Sequence, residues 1–100
     1  MARFDIHRPK SAAGLLVDVQ ADLHRDLATR VVVPLRPRET ERQRPFPRLE
    51  PVFDVDGVEH MFATTLLTAV STRELGPRVG SLAEHEYEIQ LALDLLLTGV

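Results

Sequence analysis

The sequence predicts a mostly β domain in which five or more short antiparallel strands precede one C-terminal α-helix. Short apolar or β-branched runs, separated by turn residues, fill most of the chain. An Asp56-Gly57 pair joins two of these runs, and a leucine-rich stretch follows from about Leu82 to Thr98. Strands followed by a single helix favour a small barrel or curled sheet with the helix packed on it.

The first two strands are indicated by alternation. Phe4 and Ile6 alternate with polar neighbours and predict a short, half-buried strand. After a loop from Pro9 to Gly14, residues 15–22 predict a second strand with one apolar face. On its other face we expect solvated carboxylates, among them Asp18.

The third strand, residues 30–35, is rich in β-branched side chains. Pro34 has no N–H for a ladder hydrogen bond, so the strand is expected to end there or to lie at an edge or bulge. Residues 36–48 carry five arginines and three prolines without periodicity. This segment is predicted to be a long exposed loop, which is often functional.

A hairpin is predicted where residues 49–55 meet residues 58–64 across Asp56-Gly57. Asp-Gly suits a type I′ turn because both central residues need positive φ. Residues 70–75 then predict a short strand that Gly76-Pro77 ends.

The C-terminal helix is predicted over residues 82–98. Ser81-Leu82-Ala83-Glu84 has the form of a capping box, and Gly99 is a suitable stop. In residues 91–97 only Asp94 interrupts the apolar run, so the helix must be covered on more than one side. We therefore expect a two-fold homodimer, with an interface that includes Leu93, Leu96 and Leu97.

Composition limits the possible functions. The 100 residues are a single-domain length (1–100), with no cysteine to form a disulfide or a thiolate metal site. Twelve Lys and Arg against fifteen Asp and Glu give a net charge of −3, which argues against non-specific nucleic-acid binding. No run is long enough for a membrane span or a signal peptide, so a cytoplasmic protein is expected.

The motifs for catalysis are weak. His85-Glu86 begins like a zinc-protease helix, but Ile89 stands where the second histidine ligand is needed. The serines lack a nucleophile context, and no glycine-rich phosphate loop is present. We predict neither a metal nor a cofactor, and the strand carboxylates leave acid catalysis as an open alternative.

Three stretches carry a resemblance to a known family. They are Leu16-Val17-Asp18-Val19-Gln20-Ala21-Asp22, then Val33-Pro34-Leu35, and then Gly80-Ser81-Leu82 leading to the helix and the terminal Thr98-Gly99-Val100. In this order and spacing they resemble the CcdB family of bacterial toxins, over nearly the whole chain.

The resemblance implies an SH3-like barrel of about five to seven short strands with a C-terminal helix, and a homodimer. CcdB-like toxins are not enzymes. They bind the A subunit of DNA gyrase and trap it on cleaved DNA. A cognate CcdA-like antitoxin neutralises them, and the toxin–antitoxin complex represses its own operon, with the operator contacted through the antitoxin.

The resemblance also implies which residues bind gyrase. Carried over position by position, they are Ala21, Leu23, His24, Asp94, Leu97, Thr98, Gly99 and Val100. One departure is marked: well-studied members carry a tryptophan at the position of Thr98, where the indole stacks on a gyrase arginine. Asp94 replaces an amide. A weak or inactive homologue that only titrates the antitoxin is therefore an alternative.

The arginine-rich segment is a candidate for binding the acidic, disordered antitoxin, because arginines donate charge-assisted hydrogen bonds. Its members are Arg36, Arg38, Arg42, Arg44 and Arg48. The other alternative is an endoribonuclease of the MazF/Kid type, whose barrel resembles that of CcdB. In that case the same segment would guide RNA.

Overall fold

The structure is a computed structural model that describes residues 2–38 and 47–99. Within these residues, seven strands are followed by one α-helix, as the sequence predicts. The elements are β1 (Asp5–Pro9), β2 (Leu15–Asp18), β3 (Thr29–Pro37), β4 (Val52–Val55), β5 (Val58–Phe62), β6 (Thr68–Ser71), β7 (Leu75–Ser81) and α1 (Glu86–Thr98). Short 3₁₀ turns lie at Asp22–His24, Thr64–Leu66, Thr72–Glu74 and Ala83–His85.

The strands form one antiparallel sheet in the order β4-β5-β3-β2-β1-β7. The remaining strand, β6, also pairs with β3, at Thr29 to Val32, whereas β5 pairs with β3 at Leu35 to Pro37. The sheet curls into a half-barrel, because Phe53 of β4 and Ile6 of β1 meet in the same core although three strands lie between theirs.

The concave face of the sheet and the helix share this core. Its centre consists of side chains with almost no exposure, namely Ile6, Val17, Val33, Phe62 and Ile89. Phe53 and Phe62 meet edge to face with ring centroids 6.0 Å apart. The strands β1, β2, β3 and β5 and the helix each supply one of these residues. The prediction of a half-buried first strand is wrong, because Asp5, Ile6 and His7 are all buried.

The hairpin at Asp56-Gly57 is confirmed. Asp56 has φ of 53° and Gly57 has φ of 81°, as a type I′ turn requires. The Gly57 N–H donates to Asp54 Oδ1 at 2.8 Å and closes the turn. The strands on either side are shorter than expected, Val52–Val55 and Val58–Phe62.

The predicted second strand, residues 15–22, is too long. β2 ends at Asp18, whose Oδ1 accepts the Gln20 N–H at 3.0 Å and so turns the chain. Asp18 is also fully buried rather than solvated, since it pairs with Arg30. The ion pair holds this carboxylate inside the fold.

The expectation that Gly76-Pro77 ends a strand is wrong, because β7 runs through both residues. His7 opposes Arg78 and Pro9 opposes Leu75, so β7 carries an extra residue there, as in a β-bulge. β7 pairs with β1 at the end of the strand order. A proline is tolerated at such an edge or bulge because no ladder hydrogen bond is lost.

Two further predictions need correction. β3 passes through Pro34 and ends at Pro37, so Arg36 belongs to a strand rather than to a loop. Pro34 lies where the partner of β3 changes from β6 to β5, and its carbonyl accepts the Ala63 N–H at 3.0 Å. Residues 39–46 of the predicted loop lie outside the described residues.

The helix begins later than the capping box suggests. Ser81 Oγ accepts the Ala83 N–H at 3.1 Å, but the residue before the 3₁₀ turn Ala83–His85 is Leu82, which makes no side-chain cap. The helix α1 begins only after this turn, at Glu86. At the other end, Gly99 adopts φ of 82°, and its N–H donates to the Asp94 and Leu95 carbonyls. The predicted glycine stop is confirmed.

Candidate partner-binding surface

The helix presents three different faces, because residues three or four apart lie on the same side. The inner face consists of Ile89, Ala92 and Leu93, which are buried. Leu93 is part of the core of the protomer itself. Leu93 is only 6% exposed in the protomer and so offers little surface for the dimer contact expected from the sequence, and half-buried Leu96 lies next to this inner face.

A second, apolar face carries Tyr87, Leu91 and Leu95 at intervals of four residues. Tyr87 is 74% exposed and Leu91 is 40% exposed, whereas Leu95 is half-buried. The leucine-rich run predicted an apolar helix without separating this face from the others. The helical spacing of Tyr87, Leu91 and Leu95 was the signal that could have found it.

The third face contains Gln90, Asp94 and Leu97, at positions i, i+4 and i+7. The Gln90 amide nitrogen donates to Asp94 Oδ1 at 3.1 Å. Leu97 is 70% exposed. Two of the residues that the resemblance assigns to gyrase binding, Asp94 and Leu97, therefore lie on the same side of the helix.

The other assigned segment is the 3₁₀ turn after β2. The turn and its neighbours, from Ala21 to Thr29, are all exposed. Leu23 is the most exposed large apolar side chain among the described residues, at 85%. Gln20 ties the turn to the sheet: its amide nitrogen donates to the His24 carbonyl at 2.9 Å, and its amide oxygen accepts the Val31 N–H at 3.0 Å.

Arg3 brings the two segments together. Its backbone N–H donates to Asp22 Oδ1 at 2.8 Å, and its Nη2 donates to the Gln90 side-chain oxygen at 3.0 Å. Its Nε donates to the Val19 carbonyl at 3.1 Å. The sequence gives no local signal for this role of Arg3, because these contacts join residues up to 87 positions apart.

A shallow groove of about 400 Å³ lies where the Asp22–His24 turn approaches the start of the helix. The groove is lined by Arg3, Phe4, Ala21, Asp22, Ala83 and Glu86. Ala21 and Arg3 therefore both line this groove. Leu23, two residues after Ala21, has a side chain that is exposed to solvent.

The helix ends at Thr98, and Gly99 follows as its C-cap. Thr98 Oγ donates to the Asp94 carbonyl at 2.7 Å, so its hydroxyl bonds within the helix. The left-handed Gly99 then changes the chain direction. Val100, which the resemblance also assigns to the site, lies outside the described residues.

The arginines assigned to the antitoxin are described only in part. Arg36 and Arg48 are exposed, and Arg38 Nη1 forms an ion pair with Glu59 Oε1 at 3.0 Å on the surface. An exposed pair of this kind is weak and salt-sensitive. Arg42 and Arg44 lie outside the described residues.

The histidines are separated from one another. His7 Nδ1 lies 3.0 Å from the Gly76 carbonyl oxygen, and His85 stacks on Phe53 with ring centroids 4.6 Å apart. Among residues 2–38 and 47–99 there is no cluster of three His, Asp or Glu side chains that could hold a metal ion. No helix in the described part of the chain is long and apolar enough to cross a membrane.

These features define a small half-barrel whose C-terminal helix and neighbouring turn carry exposed apolar side chains. The CcdB protein family matches residues 3–99. The chain therefore belongs to the CcdB family, a family of toxins of toxin–antitoxin systems.

The fold is shared with a solved structure described as an endoribonuclease in complex with its cognate antitoxin, from a mycobacterial species. The two chains align over 97% of this chain and 94% of the other, with a TM-score of 0.75 and 17% identity. At this level of identity, the likeness establishes the shared fold.

Proposed function

We propose that this protein binds the A subunit of DNA gyrase and traps it on cleaved DNA. The observation that carries the proposal is the connection made by Arg3. Arg3 bonds to Asp22 and to Gln90, and Gln90 bonds to Asp94. These contacts connect the two groups of residues that the family resemblance assigns to gyrase, namely Ala21, Leu23 and His24, and Asp94, Leu97, Thr98, Gly99 and Val100. Leu23 and Leu97 are the large exposed apolar side chains of this surface.

Such a surface suits a protein partner better than a small substrate. Exposed leucines next to polar groups that are already hydrogen-bonded offer apolar contact area without leaving polar groups unpaired. Thr98 supplies less contact area than the family's tryptophan, so more of the binding must come from Leu23 and Leu97. This assigns to the two leucines the role that a central aromatic residue has in other interfaces.

A second copy of the chain is the proposed partner of the apolar helix face Tyr87, Leu91 and Leu95. Leu66, on the 3₁₀ turn that packs beside the helix, is a further exposed apolar side chain. A two-fold axis at this face would bring the helix ends of two protomers together, as the family's homodimers do.

A CcdA-like antitoxin is the proposed natural inhibitor, with autoregulation of the operon by the complex. The exposed guanidinium groups of Arg36 and Arg48 provide donors for an acidic segment that folds on binding. Association with such a segment is expected to slow at about 0.5 M salt because electrostatic steering is screened.

The test is a cleavage assay with gyrase, ATP and supercoiled plasmid. Linear plasmid after denaturation of the protein supports the proposal. Leu23→Asp and Leu97→Asp are expected to reduce cleavage about thirtyfold or more, as for a central contact worth about 2 kcal/mol. Val58→Asp is the matched control, since Val58 is an exposed apolar residue on β5.

The same preparation is incubated with RNA in a parallel reaction. Fragmented RNA with intact plasmid would instead identify a ribonuclease, the activity that the mycobacterial protein's description carries. Absence of both products, with binding of the antitoxin retained, would identify an inactive homologue.

A further inference from the structure

The first residues of the chain form a strained turn next to the proposed gyrase surface. The Asp5 N–H donates to the Ala2 carbonyl at 3.1 Å, which closes a four-residue turn. Phe4, at its third position, has φ of 73°. This position of a type II turn favours glycine, and a bulky side chain there is strained.

The strain persists because Phe4 is fixed on several sides. Its ring lies in the core at 4% exposure, and its carbonyl accepts the Leu82 N–H at 2.8 Å. Strained backbone of this kind is found where surrounding contacts over-determine it, often at functional sites. Here the strained turn places Arg3 between the Asp22–His24 turn and the helix.

The Asp22–His24 turn needs such an anchor. None of its three residues is buried, so no apolar packing sets its position relative to the helix. Its connections to the rest of the fold run through polar groups, chiefly those of Arg3 and Gln20. A binding segment fixed before its partner arrives loses less conformational entropy on binding.

Arg3 makes contacts on both sides of this surface. Its Nη2 donates to Gln90, which in turn donates to Asp94, while its Nε donates to the carbonyl of Val19, the residue after β2. The guanidinium carbon lies 4.5 Å from the Phe4 ring centroid, so the side chain also rests on an aromatic face. The planar guanidinium reaches two acceptors at once, which a lysine ammonium on this path would not reproduce.

We propose that Arg3 is a positioning residue that holds the Asp22–His24 turn and the Gln90–Asp94–Leu97 face of the helix together as one preformed binding surface. The expected effect of Arg3 on gyrase binding rests on the proposed function. The role of Arg3 in fixing the turn rests only on the contacts described above, and a separate experiment measures it.

The first measurement is amide hydrogen exchange of the full-length protein and its Asp22→Ala variant. This variant removes the acceptor of the Arg3 backbone N–H, the bond that joins Arg3 to the turn. The reporting amides are those of His24, Arg25 and Leu27, whose N–H groups bond within the turn segment. We expect exchange at these sites to accelerate about fivefold in Asp22→Ala, as for the loss of one hydrogen bond of about 1 kcal/mol. Asp22→Asn, which keeps a side-chain oxygen that can accept this N–H, is the control. Unchanged exchange in Asp22→Ala would overturn the inference, whether or not the protein binds gyrase.

The second measurement is binding to the dimerisation fragment of the gyrase target, at a temperature where all variants are folded. We expect Arg3→Ala to weaken binding about tenfold and Arg3→Lys to restore little of it. In the Arg3→Ala background, Gln90→Ala is expected to weaken binding less than it does in the wild type, because the two residues share one hydrogen bond. Fully additive effects of the two substitutions would contradict the positioning role. If wild-type protein does not bind the fragment, the proposed function fails, while the exchange result still decides the role of Arg3.

Discussion

Arg30 and Asp18 form an ion pair in which neither side chain is exposed to solvent. Arg30 donates through both Nε, at 2.9 Å, and Nη2 to Asp18 Oδ2, while Asp18 Oδ1 accepts the Gln20 N–H. The pair thereby connects β2, β3 and the start of the segment that leads to Leu23. Variants that lack one charge or both charges separate the cost of an unpaired buried charge from the net contribution of the pair to stability.

Removing either charge alone is expected to be severe. Arg30→Met leaves a buried carboxylate without its counter-charge, which costs about 3–5 kcal/mol. The double variant Asp18→Leu/Arg30→Met is expected to lose much less than the sum of the single changes, because no uncompensated charge remains. Urea unfolding of Arg30→Met, Asp18→Leu and the double variant measures the cost of each single change and of removing the whole pair. A loss below about 1 kcal/mol in Arg30→Met would refute the assignment.

Gly76 is expected to be irreplaceable, because β7 approaches β1 closely at this point. A Cβ built on Gly76 would lie 2.6 Å from the Arg8 carbonyl oxygen. Gly76→Ala must shift backbone and is expected to cost about 1–3 kcal/mol. Gly80→Ala is the control, because its Cβ would meet only Ile6 Cδ1 at 3.5 Å, an ordinary contact. Equal melting temperatures for the two variants would contradict this prediction.

Asp5 is expected to make stability depend on acid pH. Burial alone would raise the pKa of Asp5, but hydrogen bonds from the Ala2 N–H and the Arg78 guanidinium lower the pKa below its ordinary value of 3.8. A carboxyl whose pKa is lower in the folded state stabilises the fold above its unfolded pKa. This contribution is lost as the pH falls through the folded-state pKa.

The check is the unfolding free energy of Asp5→Asn between neutral pH and about pH 2. We expect the variant to be less stable than wild type at neutral pH and to show a smaller loss of stability on acidification below about pH 4. Asp26→Asn, at an exposed position, serves as the control. Parallel pH curves for Asp5→Asn and wild type would count against the role of Asp5.

The apolar helix face predicts which substitution separates the protomers. Leu91→Asp introduces a charge at the centre of the Tyr87–Leu91–Leu95 face and is expected to give a monomer that keeps its fold, since Leu91 is 40% exposed in the protomer. Sedimentation at micromolar concentration measures the outcome, with Leu66→Asp testing whether the interface extends to the neighbouring turn. A wild-type monomer would remove the interface altogether.

Thr98 and Gly99 are expected to respond differently to alanine. The Thr98 hydroxyl bonds to the Asp94 carbonyl, which also accepts the Gly99 N–H, so Thr98→Ala costs only about 1 kcal/mol or less in gyrase binding. Gly99→Ala places a Cβ at φ of 82° and strains the chain by about 1–2 kcal/mol, although no neighbour obstructs the added carbon.

The readouts are growth arrest and binding to the gyrase fragment. Gly99→Ala is expected to reduce both more than Thr98→Ala does, and Thr98→Trp to strengthen binding by roughly two- to thirtyfold if an arginine of gyrase meets this position. Full toxicity after deletion of residues 99 and 100 would place the binding site elsewhere.

The sequence predicted those elements whose signals are local. Asp56-Gly57 fixes its own hairpin through two positive φ angles, and the Gly99 stop needs only the last turn of the helix. The path of β7 through Gly76-Pro77 was missed because a bulge opposite β1 tolerates the proline, and that pairing joins distant residues. The burial of Asp18 depends likewise on Arg30, and the connection through Arg3 on Gln90.

The family resemblance indicated which segments belong to the site, and the structure shows how these segments are arranged. Leu93 was assigned to the interface because it stands in a leucine-rich run, yet it faces the core with Ile89. Residue type alone does not separate the inner face from the outer face in a run with so few polar residues. The register of the helix against the sheet makes this distinction.

β3 pairs with β2, β5 and β6, so this one strand connects the different parts of the sheet. If β3 detached, the β4–β5 hairpin would separate from the β2-β1-β7 group, and β6 would lose its described partner. A two-stranded hairpin is only marginally stable alone. The domain is therefore expected to open cooperatively, so that the slowest-exchanging amides of β3 report the free energy of global unfolding rather than a local fluctuation.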